Sequence, residues 1–387
     1  MSTQFKQAEH KIPGPIEVAD EVLYANAHPS MSHVSPEFIP VFGECIKMLR
    51  ETLLTKAGQP FLIAGSGTLG WDQVASNLVE PGEEALVLHS GYFGDSFADC
   101  LEAYGAKVTQ IKAPIGAAVT EAQIEKALKR SKYKVLTFTH VDTSTGVLSN
   151  AKMIAQVSRR VSPDTLIILD GVCAVASEEI RFDDWDIDVV ISATQKGLGT
   201  PPGLSVVLAS QYALNVLENR KTPVTSYYAS WKRWLPIMKA YEFGSAAYFA
   251  TPPVNLIYAF HVSLKSITHG GISLEERFHL HREASKRVKQ AAFDLGLKQV
   301  PLDLDYSANG MTALYYPEGL DADDIIPLLM KKDIVIAGGL HKDIKGKYFR
   351  IGHMGLTAVD GSRGDLDKII QGLQETIREA KAAKGVQ

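Results

Sequence analysis

Val189–Val190–Ile191–Ser192–Ala193–Thr194–Gln195–Lys196–Gly197–Leu198–Gly199–Thr200–Pro201–Pro202–Gly203 is the stretch that decides how this chain is read. Its apolar start has the continuity of a strand buried on both faces. Ser192 to Lys196 then carries polar side chains off the strand, into a loop of glycine and proline that lets other backbone come close. An amine at the end of a buried strand, beside such a loop, is placed for reaction. Taken singly it is more often a solvated lysine. What surrounds Lys196 elsewhere in the sequence decides between the two.

Working outward, short apolar runs recur at Phe61–Ala64, Ala85–His89, Lys107–Ile111, Val135–Thr139, Leu166–Leu169, Asp188–Ser192 and Leu204–Leu208. Helical stretches such as Thr120–Arg130 and Lys152–Val161 separate several of them, and Phe42, Ile46 and Leu49 mark one face of a helix over Phe38–Thr55. The alternation predicts an α/β fold with a mostly parallel sheet covered by helices on both faces, and such sheets bind ligands at the carboxyl ends of their strands. Beyond about residue 210 the pattern changes. An aromatic-rich segment over 227–248 leads to a long helical tract, 254–295, interrupted near Gly270–Gly271. Strand-like runs Thr312–Tyr316, Ile334–Ala337 and Tyr348–Ile351, with helices Ala322–Lys332 and Asp365–Ala383, complete a smaller α/β unit. The 387 residues suffice for one large and one smaller domain. Residues 1–11 read as polar and loose.

Composition removes several classes of function. A net charge of −4 leaves no nucleic-acid footprint. No apolar run approaches the ~20 residues of a membrane helix. The first ten residues lack the apolar segment of a signal peptide, and Lys384–Gly385–Val386–Gln387 is no peroxisomal address. Cys45, Cys100 and Cys173 are odd in number and far apart, which suits neither a disulfide framework nor a zinc site and points to a reducing, cytoplasmic location. His140, His341 and His353 have no metal-ligand spacing, so no metal is expected, and His140 reads as a hydrogen-bonded structural histidine.

Five strand ends carry chemistry. Gly65–Ser66–Gly67–Thr68–Leu69–Gly70 follows the first apolar run and opens a helix, where free N–H groups and the helix dipole favour an anion, most often phosphate. The same letters match a dinucleotide fingerprint. That reading wants an acid at the end of the next strand, and Leu88–His89–Ser90 offers none. Polar groups crowd Thr139–His140–Val141–Asp142–Thr143–Ser144–Thr145–Gly146. Asp170 closes a strongly apolar strand, where a carboxylate is costly without a partner. Lys196 ends the neighbouring strand. Arg350, inside Tyr348–Phe349–Arg350–Ile351–Gly352, is expensive to bury without an anion, and a carboxylate is its natural bidentate partner. A phosphate cradle, a strand-end acid, a strand-end lysine and a buried arginine are together what pyridoxal 5'-phosphate and an amino-acid substrate need. The cradle takes the phosphate, the acid keeps the pyridine nitrogen protonated, the lysine meets the aldehyde and the arginine meets the substrate carboxylate. A nicotinamide oxidoreductase, the competing enzyme reading, leaves Lys196 and Arg350 without roles.

The sequence also resembles the class V pyridoxal-phosphate aminotransferases over almost its whole length, through Pro13–Gly14–Pro15, Ala64–Gly65–Ser66–Gly67–Thr68, Thr139–Gly146, Asp170–Gly171–Val172, Ser192–Ala193–Thr194–Gln195–Lys196, Tyr248–Phe249–Ala250–Thr251–Pro252–Pro253 and Arg350–Ile351–Gly352. The resemblance implies the PLP-dependent transferase fold type I, with a seven-stranded sheet. It implies an N-terminal arm over residues 1–15, a large domain over 16–255 and a small domain over 256–387. Lys196 would carry the cofactor and act as the base, and Asp170 would pair with the ring nitrogen. Val172 and Phe93 would cover the two ring faces, and Thr143 would meet the phenolic oxygen. Ser66, Gly67, Thr68 and Gln195 would hold the phosphate. Tyr248 and Thr251 would reach the phosphate of a neighbouring subunit, making a homodimer, and Arg350 would bind the substrate carboxylate. Many relatives carry tryptophan in place of Phe93 and some carry histidine in place of Thr68. The implied reaction is a ping-pong transamination with alanine as donor and glyoxylate as acceptor, yielding pyruvate and glycine. Serine–pyruvate or serine–glyoxylate exchange is the alternative. Cysteine desulfurases, which need a mobile cysteine late in the chain, are set aside because none follows Cys173.

Overall fold

The structure, a computed structural model, describes residues 9–385. The seven apolar runs form one sheet: β1 (Gln59–Ala64), β2 (Glu84–His89), β3 (Lys107–Lys112), β4 (Val135–Thr139), β5 (Leu166–Asp170), β6 (Val189–Ala193) and β7 (Leu204–Ala209), in spatial order β1-β7-β6-β5-β4-β2-β3. Only β7 runs against its neighbours. Every residue of β4 to β7 is buried, because helices cover both faces of a parallel sheet and leave no solvent side for polar alternation. The edge strand β3 does alternate, and its exposed lysines at both ends protect an unpaired edge.

Strand register gathers the site. Thr139 lies beside Asp170 across β4 and β5, and Asp170 lies beside Ile191 across β5 and β6. Lys196 therefore leaves the sheet next to the acid. The glycine turn after β1 arrives from the other side, its Gly65 N–H bonded to the Gly203 carbonyl at 2.9 Å.

The smaller unit is a three-stranded antiparallel sheet in the order β8-β10-β9, made of β8 (Met311–Tyr315), β9 (Ala337–Gly338) and β10 (Tyr348–Gly352). Its two faces serve different cores. Phe349 and Ile351 pack with Val288, Ile325, Leu329, Ile369 and Leu373 from its own helices, whereas Tyr348 joins the large core. Strand alternation then sends Arg350 to the same side as Tyr348, toward the large sheet's carboxyl edge. The helical tract is two helices, Val254–His269 and Leu274–Asp294. Ile257, Phe260 and Leu264 on the first belong to the large core with Phe38 and Phe42. The boundary expected at 255/256 would fall at the start of that helix.

The N-terminal segment differs from its reading as loose chain. Residues 1–8 lie outside the described residues, but Glu9–His10 pairs in parallel with Ile334–Val335. Lys11 is wholly buried, its ammonium 2.6 Å from Glu17 and 3.0 Å from Asp365. Two carboxylates compensate a charge that burial otherwise makes expensive, and one of them comes from the far end of the chain. The segment next crosses Gly352, whose N–H bonds the Lys11 carbonyl at 2.6 Å. Any side chain at Gly352 would meet the Ile12 carbonyl oxygen at 2.1 Å, so glycine is what lets the arm pass. Among the described residues no helix is long and apolar enough to cross a membrane.

Candidate active site

A cleft of about 220 Å³ opens at the carboxyl ends of β1, β4, β5 and β6, lined by Ser66, Gly67, Thr68, Phe93, Thr143, Asp170, Val172, Gln195 and Lys196. Asp170 is its buried floor. Its Oδ2 accepts the Trp71 indole N–H at 2.8 Å and its Oδ1 accepts the Val172 N–H at 3.0 Å. Burial still dominates and pushes the carboxyl up to about 6, because two donors do not replace a full hydration shell. Among the described residues no cation forms an ion pair with it, and Lys196 lowers it only from a distance.

Lys196 stands opposite. Its ammonium donates to the Pro13 carbonyl at 2.6 Å, and burial holds its pKa below the ordinary lysine value, with Cys173 and Asp170 opposing and Arg350 assisting. The arm makes room for it at Gly14, which has φ +119° and where an added Cβ would lie 2.3 Å from Lys196 Cδ. Ser66, Gly67 and Thr68 form the mouth of the helix Thr68–Leu78, whose N-terminus has no side-chain cap. Its open N–H groups face the cleft as a cradle for an anion. Thr139 Oγ1 and Gln195 Oε1, both on the cleft, are buried without a protein partner.

Arg350 reaches the cleft from the small unit. Its Nε donates to the Gly338 carbonyl at 2.8 Å and its Nη1 to the Thr143 carbonyl at 3.0 Å, leaving Nη2 without a protein partner among the described residues. Burial lowers its pKa, and among the described residues no carboxylate forms an ion pair with it. Tyr348 fixes this geometry. Its buried hydroxyl accepts the N–H groups of Leu340 and His341 at 2.8 and 2.9 Å and donates to the Ser144 carbonyl. Tyr248 and Thr251 lie outside the cleft and are exposed, the Tyr248 ring resting 5.3 Å from His33. His140 is structural in its contacts, with Nδ1 on the Ser149 carbonyl at 2.9 Å and burial pushing it down to about 4.

Three contributors escaped the sequence reading: Trp71, the Pro13 carbonyl and the Tyr348 hydroxyl. Trp71 was legible only as an apolar helix position, although a buried indole N–H needs an acceptor and Asp170 was an acid in need of donors. Replacing Trp71 with phenylalanine is expected to weaken cofactor binding by about tenfold or more, since hydrogen bonds to charged groups are worth ~1.5–3 kcal/mol. Titration of the apoprotein followed by absorbance measures this, and an unchanged affinity would remove Trp71 from the site.

The sequence matches the aminotransferase class-V family over residues 16–350. The chain belongs to the class V aminotransferases. Alanine–glyoxylate aminotransferase 1 of Saccharomyces cerevisiae is 44% identical over 361 residues, 90% of this chain and 92% of that protein. L-aspartate–glyoxylate aminotransferase of Paracoccus denitrificans is 30% identical, over 89% of this chain and 85% of its own. Among solved structures, an alanine–glyoxylate aminotransferase from Nostoc superposes with a TM-score of 0.88 at 27% identity, covering 98% of this chain and 97% of that one. The fold of this class V aminotransferase is the PLP-dependent transferase fold type I, and its cofactor is pyridoxal phosphate. The cleft suits that group. It presents an uncapped helix N-terminus for a phosphate, an uncompensated buried acid for a ring cation, an amine of lowered basicity and buried polar atoms awaiting partners.

Proposed function

We propose that this class V aminotransferase transfers the amino group of L-alanine to glyoxylate, giving pyruvate and glycine in two half-reactions that share one cleft. The observation that carries the substrate class is the poverty of cations. Lys196 is the one cationic side chain among the described residues lining the cleft, and Arg350 is the one arginine at its edge. A dicarboxylate or a phosphorylated amino acid needs a second fixed cation, whereas alanine and glyoxylate each bring a single carboxylate. The yeast relative's activity supports the same pair.

When bound, pyridoxal phosphate supplies an electron sink that lets the α-carbon of the amino acid release its proton. The chain's residues divide the remaining work. Lys196 Nζ takes the proton from the α-carbon and returns it at the acceptor carbon. Burial lowers its basicity, which favours the neutral amine a base needs more than an ordinary solvated lysine does. Asp170 would keep a proton on the pyridine nitrogen. Ser66, Gly67, Thr68 and Gln195 would hold the phosphate, Val172 and Phe93 would cover the ring, and Thr143 would meet the ring hydroxyl. Arg350 Nη2 orients the substrate carboxylate. Tyr248 and Thr251 serve the neighbouring subunit of a homodimer, a reading supported by the exposure of Tyr227, Phe243 and Tyr248. Three free thiols, Cys45, Cys100 and Cys173, support a reducing cytoplasmic setting.

The test is kcat/KM for alanine, serine and phosphoserine, each with glyoxylate and pyruvate. Alanine with glyoxylate is expected to lead, and a faster turnover of phosphoserine would overturn the assignment. Arg350→Ala is expected to raise KM for every carboxylate substrate by about 100-fold, the loss of one or two charge-assisted hydrogen bonds. Unchanged KM values would place the carboxylate elsewhere.

A further inference from the structure

A groove larger than the cleft lies elsewhere on the molecule. It lies on the small unit between the helices Leu274–Asp294 and Asp365–Lys384 and the loop before β8, with a volume of about 800 Å³. It shares no lining residue with the catalytic cleft. Four cations and two carboxylates line it, and Lys286 and Arg287 already pair with Glu283 and Asp367. Arg282 and Lys289 have no ion pair among the described residues. Arg282 is exposed at the rim, whereas Lys289 is only 5% exposed.

Lys289 is an unusual floor for a surface groove. An ammonium has three donors, and the described residues give this one a single acceptor, the Ala308 carbonyl at 2.8 Å. Burial holds its pKa down to about 8, opposed by attraction to Glu178. The carboxylate of Glu178 is occupied by Asn309, accepting its backbone N–H at 2.5 Å and its side-chain N–H at 2.7 Å. A buried ammonium with unused donors, on a residue that lines a cavity of ligand size, calls for an anion. Ser285 and Ser307 also line the groove, their hydroxyls donating to the Ala308 carbonyl at 3.3 Å and to Gln299 Oε1 at 3.2 Å, and Leu304 and Ile370 add apolar lining.

We propose that this groove is a second small-molecule site, which takes a small organic dianion, a phosphate ester or a dicarboxylate, on Lys289 and Arg282. Occupancy bears on the catalytic unit. An anion there competes with Glu178 for the Lys289 charge, and Glu178 belongs to the turn that follows Asp170.

Calorimetric titration of the holoenzyme with inorganic phosphate and with succinate tests this without reference to turnover. At least one probe is expected to bind saturably in the millimolar range or tighter. Lys289→Met is expected to weaken that binding by about tenfold, the loss of a charge-assisted contact. Arg282→Glu, on the exposed rim and independent of whether Lys289→Met folds, is expected to weaken it by about fivefold or more. Arg350→Ala is expected to leave it unchanged. Absence of saturable binding for both probes, equal binding by the wild type and Arg282→Glu, or loss of binding in Arg350→Ala would each overturn the proposal. The last result would assign the anion to the substrate position of the cleft.

Discussion

Replacing Lys196 with alanine is expected to lower kcat for transamination by about 10⁴-fold or more, because one side chain both anchors the cofactor and moves the substrate proton. The fold itself should survive. Among the described residues the ammonium makes one hydrogen bond, to the Pro13 carbonyl, and its stem runs past Gly14 in space that an alanine simply leaves open. Melting temperature is therefore expected to stay within a few degrees of wild type while activity is lost. Two further measurements separate the roles of the amine. Borohydride should fix the cofactor to the wild-type chain at Lys196 and fail to fix it to the variant. Added methylamine should restore part of the variant's rate, since a small free amine can occupy the vacated position and carry the proton. A variant that keeps more than a tenth of wild-type kcat would show that another group is the base.

The strand-end residues were legible because a rule of parallel sheets connects sequence to place. A polar residue closing an apolar run in an alternating chain lies at the carboxyl edge, and Asp170 and Lys196 close adjacent runs. Arg350 was legible as a buried charge in an apolar strand. Its direction came only with the structure, where Tyr348 faces the large core and Phe349 the small one. The contacts of the arm were not legible. Nothing local in Lys11–Ile12–Pro13–Gly14 announces that Lys11 pairs with Asp365 or that the Pro13 carbonyl meets Lys196, since both contacts join residues remote in sequence and obey no periodicity. Ile334–Ala337 reads as one strand and is two pieces. Ile334–Val335 pairs with the N-terminal Glu9–His10 and Ala337–Gly338 with β10, and a run cannot announce a change of partner. Tyr248 and Thr251 were singled out by resemblance and lie exposed on the single chain, where their proposed work is on a second subunit.

Asp170→Asn is expected to move activity and apoprotein stability in opposite directions. Asparagine keeps the shape and can still meet the indole of Trp71, but it removes the charge proposed to hold the pyridine nitrogen protonated. A neutral ring is a weaker electron sink, and kcat is expected to fall by about 10²–10⁴-fold, the range of a lost acid–base partner. Without the cofactor the same carboxylate is a liability. Burial raises it in the folded chain to about 6, against an unfolded value near 3.9. Below about pH 4 both states hold the proton and the group contributes nothing to the pH dependence. Between about pH 4 and pH 6 the unfolded chain releases its proton first, so the folded state binds more protons and stability falls as pH rises. The loss totals about 3 kcal/mol and is complete above pH 6. Asparagine has no proton to release, so the apo variant should match the apo wild type near pH 4 and exceed it at pH 8. In the holoenzyme the ring cation compensates the carboxylate and the wild type should regain the advantage. Urea unfolding of both proteins, with and without cofactor, at pH 4, 6 and 8 measures each arm. An apo variant less stable than wild type at pH 8 would mean that Asp170 holds the empty cleft together by its hydrogen bonds to Trp71 and Val172, rather than waiting there for a cation.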